Sequence, residues 1–362
     1  MSNFLAKHDL FLSDAGPAAL VMREQLMGVE GESSAVFPAT FAAQEGAERD
    51  PKKFQGGYNI DVFPDGKSVC LIDSVGSQAN RLEPIFAKPG YSDLVPQIVI
   101  KLGEREINLL EAGHRAGDAL FRNSSIGPTL HDAFKASQRG DDFPLAKIAP
   151  TSLVFGVWDS QGTQAKRPRL IASTIRAFNV RKLTRSANYL VQQQLDYVKE
   201  GLLPAADKGE QYSKHGFENA LASASHGGVI AEGDIRRDAT LSLAALRLLS
   251  AGKDQEKTTL LRRYILGLAL TAITQPPTVY LRQGCNLVRD PAKTSEFVEV
   301  YVDGKRVPLK LTHHEALEYA IAVAKAFGVG PSQVVSFAKD LALKEAKGET
   351  TNGEPASPKK KK

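Results

Sequence analysis

The chain has 362 residues, of which 42% are hydrophobic, 24% charged and 7% aromatic. Such a composition excludes collagen-like, wholly disordered and disulfide-scaffold proteins. No stretch approaches the roughly 18 continuous apolar residues of a membrane-spanning helix, and the N-terminus lacks the basic start and apolar run of a secretory signal. The two cysteines, Cys70 and Cys285, fit a reducing compartment better than a disulfide framework. These features predict a cytoplasmic protein that makes no contact with a membrane.

The positive charge of the chain is unevenly distributed. Lysine and arginine number 46 against 41 aspartate and glutamate residues, but four of the positive charges form the terminal run Lys359–Lys362. Residues 160–195 contain no acidic residue, whereas residues 24–50 contain six acidic residues and one basic residue, Arg49. The basic residues of the first stretch are Lys166, Arg167, Arg169, Arg176, Arg181, Lys182 and Arg185. They could present a positive surface to a polyanion; the alternative is a solvated surface whose counter-charges come from elsewhere in the fold.

In the N-terminal half, the pattern predicts a first helix over residues 17–27. Ser13 or Asp14 can cap this helix, and Pro17 suits its first turn. The apolar run of residues 68–72 predicts a buried strand that leads into a second helix. The other elements predicted here are a loop or insertion over 28–58, a helix over 75–86, strands over 96–102 and 105–110, a helix over 117–136 interrupted at Gly127-Pro128, a buried strand over 152–158, a loop over 159–168 and a strand or strand pair over 169–183.

In the C-terminal half, apolar residues recur at three- and four-residue steps, which predicts helices. The predicted elements are helices over 189–203, 239–250, 256–273 and 332–346, a flexible insertion over 204–236, strands over 278–282 and 286–289, and a hairpin of strands 297–302 and 306–309. Thr312 and Glu315 form a capping-box pattern ahead of a helix that ends near Phe327. Residues 348–362 are polar and of low complexity, which predicts disorder. Because strands and helices are mixed without regular βαβ alternation, the predicted class is α+β with an antiparallel sheet.

Most catalytic motifs are absent from the sequence. It has no phosphate-binding loop, no dinucleotide-binding glycine motif, no HExxH and no GxSxG, and its two distant cysteines make no zinc half-site. The string His313, His314, Glu315 does not indicate a metal site, because neighbouring residues on a helix point about 100° apart and cannot hold one ion together. Helix capping explains the string. We therefore expect no cofactor and no metal ion. One pairing remains: His114 beside Arg115 offers an acid–base group next to a phosphate-stabilising cation, as a metal-independent ribonuclease needs.

A candidate for phosphate contacts is the segment Ile72–Glu83, where a predicted strand ends and a helix begins. Free backbone N–H groups and the positive end of the helix dipole favour a phosphate at such a point. Ser77, Gln78 and Asn80 could add neutral donors, and Arg81 a charge-assisted fork. These contacts would recognise the nucleic-acid backbone and carry no sequence specificity. The alternative is a polar helix start that caps itself.

Four strings, in this order, resemble one protein family. They are DSVGSQANRLE at 73–83, AGHRAGDA at 112–119, SLVFGVWDS at 152–160 and LRQGCNL at 281–287. From about residue 15 to about residue 300, the chain resembles the backbone subunit of type I-G (formerly I-U) CRISPR Cascade complexes, a RAMP-superfamily protein of the GSU-type Cas family. The resemblance implies a modified RRM-like (ferredoxin-like) palm with inserted finger and thumb elements. It implies one domain over 1–347, with insertions near 28–58, 159–168 and 204–236, and a thumb within 97–110 or 160–180.

By this resemblance, the protein is a non-catalytic subunit that binds CRISPR guide RNA and presents its spacer to target DNA. Its other partners would be further copies of itself, stacked head to tail, and other Cascade subunits. The expected RNA-binding residues are Ser77, Gln78, Asn80, Arg81, His114, Arg115, Lys166, Arg167, Arg169, Arg176, Arg181, Lys182, Arg185, Arg282 and Asn286. Base stacking has no support in the sequence, because only Phe178 and Tyr189 accompany the basic stretch. Two alternatives stay open: a RAMP-type RNA endonuclease that uses His114, and a plain protein-interaction domain.

Overall fold

The computed structural model describes residues 2–191, 196–205 and 212–347. The α-helices are α1 (Ser2–Leu5), α2 (Val75–Leu82), α3 (Ala119–Arg122), α4 (Gly127–Gln138), α5 (Phe143–Ile148), α6 (Pro150–Phe155), α7 (Leu243–Leu246), α8 (Gln255–Thr274), α9 (His313–Phe327) and α10 (Lys339–Ala346). The strands are β1 (Ala19–Gly28), β2 (Thr40–Phe41), β3 (Gly57–Tyr58), β4 (Ile60–Val62), β5 (Ser68–Asp73), β6 (Ile98–Leu102), β7 (Arg105–Asn108), β8 (Val157–Trp158), β9 (Lys166–Arg167), β10 (Ile171–Phe178), β11 (Val180–Tyr189), β12 (Ala220–Ala231), β13 (Ile235–Ser242), β14 (Tyr280–Arg282), β15 (Cys285–Arg289), β16 (Glu296–Val300), β17 (Arg306–Pro308) and β18 (Gln333–Ser336). Short 3-10 helices lie at Asp9–Leu12, Glu83–Ala87, Ser92–Leu94, Leu109–Glu111, Arg115–Gly117 and Tyr212–His215.

A curled antiparallel sheet is the largest element of the described part of the chain. Nine strands form it, in the order β14-β15-β1-β13-β10-β5-β4, with β16 pairing with both β1 and β17. β15 pairs with one half of the β1 edge and β16 with the other half. A smaller sheet of β18, β6 and β7 contains a parallel pair, β18 with β6. The mixture of helices with an antiparallel sheet is consistent with the predicted α+β class.

β1 stands where the sequence pattern predicted a helix over 17–27. Its residues alternate between a buried and a half-buried face, and Leu20 and Leu26 point into the core. Glu24 takes an inward position between them, is 1% exposed, and lies 2.7 Å from Nε of Arg237. The helix prediction was wrong because this buried carboxylate interrupts the apolar alternation by which a strand is recognised.

The main core lies between the inner face of the sheet and helices α4, α5, α6, α8 and α9. α8 confirms the helix predicted over 256–273, and all its residues from Tyr264 to Thr274 are buried. α9 crosses it closely at Gly267, where a Cβ atom would lie 2.7 Å from Cγ2 of Val323 and 3.0 Å from Cα of Ala320. The two helices therefore supply the rigid layer against which the sheet packs.

Predictions with strong local signals are confirmed. Thr312 and Glu315 form the capping box: the Thr312 hydroxyl accepts the Glu315 N–H at 3.2 Å, and the Glu315 carboxylate accepts the Thr312 N–H at 2.8 Å. The other confirmed elements are the strand β5, the hairpin β6–β7, the consecutive strands β10 and β11, the strands β14 and β15 around Gly284, the hairpin β16–β17 around Asp303-Gly304, and the helix α9.

The strand predicted over 152–158 is mostly helix. α6 takes up Pro150–Phe155 and is buried throughout, and only Val157 and Trp158 are extended. A short apolar run has the same composition in a buried helix as in a buried strand, so its pattern could not separate the two. Gly156, with φ +81°, makes the change of direction between them.

Four other helix boundaries differ from the prediction. The helices predicted over 75–86 and 117–136 end or break earlier, because α2 passes into a 3-10 turn and α4 begins at Gly127, with Pro128 in its first turn. The helices predicted over 239–250 and 332–346 each begin as a strand, β13 and β18, whose partners lie far away in the sequence. In place of the helix predicted over 189–203, the described residues of that range form the end of β11 and turns. Residues 192–195 lie outside the described part.

A two-stranded ribbon of β11 and β12 extends from the sheet. β11 begins at Val180, so the ribbon shares only this residue with the segments in which a thumb was expected. Residues 97–110 form the hairpin β6–β7, and residues 160–180 contain β9 and β10. The ribbon takes up much of the insertion predicted over 204–236, and the one predicted over 28–58 contains the short pair β2–β3. The tail over 348–362 lies outside the described residues. Among those described, no helix combines the length and the apolar character needed to cross a membrane.

Candidate nucleic-acid interface

Asp73 organises the segment that the sequence suggested as a phosphate cradle. It is fully buried at the end of β5. One of its oxygens accepts hydrogen bonds from the Ser77 hydroxyl at 2.9 Å and from Arg282 Nη2 at 2.7 Å. The other accepts from Gln78 Nε2 at 2.7 Å and from Arg81 Nε at 3.0 Å. Four of the predicted RNA contacts are therefore directed at one internal carboxylate.

The same side chains also bind the surrounding elements. Arg81 Nη2 donates to the Leu281 carbonyl at 2.7 Å, and the Ser173 hydroxyl donates to Gln78 Oε1 at 3.0 Å. Ser74 caps α2 by accepting the Ser77 N–H at 3.3 Å, which is the self-capping alternative. These bonds hold α2 against β10 and β14, so the cluster serves the fold.

Replacing Arg81 with alanine should lower the free energy of unfolding by about 2 kcal/mol, because hydrogen bonds to a buried carboxylate are lost. Urea denaturation of the purified chain measures this change. The matched control is Arg139→Ala, at an exposed arginine, which should stay within about 0.5 kcal/mol of the parent. Unchanged stability with lost RNA binding would instead assign Arg81 to phosphate contacts.

A cleft of about 620 Å³ brings together residues that the sequence pattern suggested separately. The 3-10 turn Arg115–Gly117, the helix α3 and the short hairpin β8–β9 form its walls. Its lining residues with basic or titratable side chains are His114, Arg115, Arg122, Lys166, Arg167 and Arg169. Among the residues that the structure describes, none of those lining the cleft is acidic. The lining of the cleft therefore carries positive side chains, three of them from the basic stretch.

Arg115 supports the floor of the cleft. Its side chain is 5% exposed, its Nε lies 2.6 Å from the Glu83 carboxylate, and its Nη1 donates to the Gly156 carbonyl at 3.3 Å. Arg115 has φ +52°, a left-handed conformation that is uncommon for any residue other than glycine. Burial raises the pKa of Glu83 to about 7, against the opposing effects of the Arg115 charge and the Thr151 hydroxyl. The positive charge of Arg115 thus stabilises the ionised form of Glu83, which burial disfavours.

Two further arginines of the cleft are paired with carboxylates outside its lining. Arg167 Nη2 lies 2.8 Å from Asp142, which is itself buried. Arg122 pairs with Glu345 and lies 3.8 Å from Asp159. Their positions are fixed by these partners, and part of their charge is compensated.

Lys166 and Arg169 differ from the other cations of the cleft. Both are exposed, and in the described ranges neither forms an ion pair. Arg169 Nε donates to the Phe155 carbonyl at 3.1 Å. Burial and, second, the Arg115 charge lower the pKa of Arg169, so the cations here repel one another. An anion placed between them would relieve this repulsion.

Gly156 allows the segment with Arg169 to pack against β8. Its φ is +81°, and a Cβ atom there would lie 2.7 Å from Cγ and 3.1 Å from N of Arg169. Gly156→Ala should therefore cost about 2 kcal/mol of stability and weaken RNA binding. Gly90→Ala is the matched control: its φ is +86° with no atom within 4 Å of the added Cβ, so it has backbone strain without the clash. Equal losses of RNA affinity in the two variants would contradict this account.

The remaining predicted residues lie outside the cleft. Asn80 is exposed and accepts a hydrogen bond from Arg115 at 3.4 Å, and Asn286 is half-buried on β15. The other four are Arg176 on the outer face of the sheet, Arg181 paired with Glu232, Lys182 exposed on β11, and Arg185, which lies over the Phe37 ring at 5.6 Å. The basic stretch is thus divided between the cleft, the sheet and the ribbon.

Sequence reasoning missed two residues of the cleft, Arg122 and Trp158. Trp158 was assigned to a buried strand, but 56% of its surface is exposed, and Lys166 Nζ lies 5.7 Å from its ring centre. Its position just before the acid-free stretch was the available signal. Arg122 gave no such signal, because α3 brings it to the cleft through a tertiary contact. In the described part of the chain, no three histidine, cysteine or acidic residues are grouped so that they could hold a metal ion.

Comparison with known proteins gives one family. Residues 20–182 match the family described as CRISPR-associated protein GSU0053. No curated protein matches the chain. The match covers Asp73, Gln78 and Arg81 and all residues that line the cleft. Over the segment that builds the candidate site, the chain is therefore similar to this family, which supports a CRISPR-associated protein with a role in CRISPR defence.

Proposed function

We propose that the protein is a non-catalytic backbone subunit of a type I-G CRISPR Cascade complex, repeated head to tail along one guide RNA in the cytoplasm. In this proposal the curled sheet is the RRM-like palm of a RAMP protein, and the β11–β12 ribbon takes the place of the thumb. Guide RNA, target DNA paired to it and other Cascade subunits are the partners. The family match supports the CRISPR role, and the resemblance of the four strings supports the finer assignment.

The cationic cleft is the observation that carries RNA binding. Its two unpaired cations, Lys166 and Arg169, project from the hairpin and the segment that follows it. Cations that form no internal ion pair keep their charge for phosphates without first breaking a salt bridge within the protein. Such contacts accept any spacer sequence, which is what a guide-binding subunit requires.

Co-expression of the chain with a CRISPR array tests this function. We expect purified material with a high ratio of absorbance at the nucleic-acid maximum to that at the protein maximum, RNA of uniform length, and several copies of the chain per RNA. Nucleic-acid-free monomer would contradict the proposal and favour a protein-interaction domain.

The endonuclease alternative also rests on one observation, since the exposed His114 lines the cleft beside Arg115. General acid–base cleavage needs two groups that exchange protons. Among the described residues of this lining, His114 is the single histidine, and the other titratable side chains are those of lysine and arginine. We therefore expect no cleavage of a repeat hairpin RNA in the presence of a chelator, either by the parent or by His114→Ala. Metal-independent cleavage by the parent that His114→Ala abolishes would establish the enzyme instead.

A further inference from the structure

Trp158 is the single tryptophan of the chain and lies at the cleft with 56% of its surface in water. A large aromatic ring buries apolar surface when it can, so an exposed ring beside cations indicates a binding surface. A site for phosphate groups alone would not require the Trp158 ring, because phosphate groups are bound by charge and hydrogen bonds.

The ring is held by regular structure. Trp158 pairs with Lys166 across the β8–β9 hairpin, so both side chains stand on the same face. Asp159 closes the turn: its carboxylate accepts the backbone N–H groups of Gly162 at 3.2 Å and Thr163 at 2.7 Å. On the other side Gly117 packs against the backbone, where a Cβ atom would lie 2.8 Å from the Trp158 carbonyl oxygen. The backbone that carries the ring is thus held in place before a partner binds.

The surroundings of the ring offer two kinds of contact. Lys166 and Arg169 supply unpaired charge, whereas Val157, Pro168 and the Trp158 ring supply apolar surface. The volume of about 620 Å³ falls within the range of roughly 300–1,000 Å³ typical of small-ligand sites. A nucleotide has both parts, a flat base and a charged phosphate.

Resting on the proposed RNA-binding function, we propose that the cleft holds one unstacked nucleotide of a single-stranded RNA, with its base against the Trp158 ring and its phosphates at Lys166 and Arg169. Stacking on an aromatic ring accepts every base, because each has a π face. The contact therefore adds affinity without sequence preference.

Fluorescence of the full chain tests the proposal directly, because Trp158 is the single tryptophan. Excitation at the red edge of the tryptophan band is followed while single-stranded RNA or inorganic polyphosphate is added to saturation. We expect RNA to quench the emission strongly and to shield the ring from acrylamide, and polyphosphate to do neither. Equal effects of the two polyanions would overturn base stacking and leave a phosphate site.

Affinity measurements on variants provide the second test. Trp158→Ala should bind RNA roughly 5- to 100-fold more weakly, and Trp158→Phe should recover most of the loss. Phe63→Ala removes an aromatic ring that is 49% exposed away from the cleft, and should bind as the parent does. If Trp158→Ala does not fold, the quenching of Trp158 fluorescence in the parent by RNA tests the proposal by itself. Parent RNA binding without quenching overturns this inference alone, whereas absence of RNA binding overturns the proposed function as well.

Discussion

Replacing Lys166 and Arg169 together with alanine should weaken the binding of single-stranded RNA by about 100-fold at low salt. These two cations of the cleft form no ion pair with another described residue, and each should lose a charge-assisted contact of about 1.5 kcal/mol. The slope of log affinity against log salt should also become shallower by about 1.4, because roughly 0.7 counterion is released per single-strand phosphate contact. Fluorescence anisotropy of labelled RNA across a salt series measures both quantities.

The matched control for this variant removes the same charge elsewhere. Lys88→Ala with Lys310→Ala changes two exposed lysines that do not line the cleft. Its affinity should stay within about threefold of the parent. An equal loss in both double variants would mean that net charge, and not the cleft, attracts RNA. Parent-like binding by the cleft variant would remove the cleft from the RNA path.

Replacing Arg115 with methionine should lower the free energy of unfolding by about 3–5 kcal/mol. The substitution leaves Glu83, which is 1% exposed, without its cationic partner at 2.6 Å, and an unpaired buried charge is strongly destabilising. In a Glu83→Gln background the same substitution should cost clearly less, because no charge is then left behind. Denaturant unfolding of the four proteins gives a coupling free energy, which we expect to be about 2 kcal/mol.

The cost of Arg115→Met should also depend on pH. Burial already raises the pKa of Glu83 to about 7 from an ordinary value of 4.5, and Arg115 acts in the opposite direction. Without Arg115 the pKa rises further, so the folded variant holds a proton that the unfolded chain releases above about pH 4.5. The stability of the variant relative to the parent should therefore fall as the pH rises above about 7, where the folded parent releases this proton and the folded variant still holds it. A pH-independent difference, or an equal slope in the Glu83→Gln background, would contradict this assignment.

Local chemistry made part of the fold predictable. The turn at Asp303-Gly304, the capping box of Thr312 and Glu315, and the continuous apolar face of α8 each depend on residues close in sequence. Their energetics are settled within one or two turns of chain, so pattern alone is sufficient. The sequence did not show which basic residues of the stretch face the cleft, the sheet or the ribbon. Charge indicates that a side chain lies at the surface, but not which part of the surface it reaches.

Burial of charge is one reason why the structure could not be predicted in full. Glu24 is accepted inside β1 because Arg237 and Arg289 reach it from strands more than 200 positions away. In the same way Arg81 and Gln78 donate hydrogen bonds to Asp73, and Arg282 reaches it from β14 to complete the cluster. The sequence contains these residues but not their distances, and the free energy of a buried charge depends on those distances.

By itself, the sequence determined the α+β character, the local turns and caps, and the presence of a basic stretch near residues 166–169. The tertiary structure decided which basic side chains of the cleft pair with internal carboxylates, and that Lys166 and Arg169 form no ion pair with a described residue. It also placed Trp158 beside them. The physical reason is that hydrogen bonds and apolar periodicity act along the chain, whereas the pairing of charges is decided between elements that folding brings together.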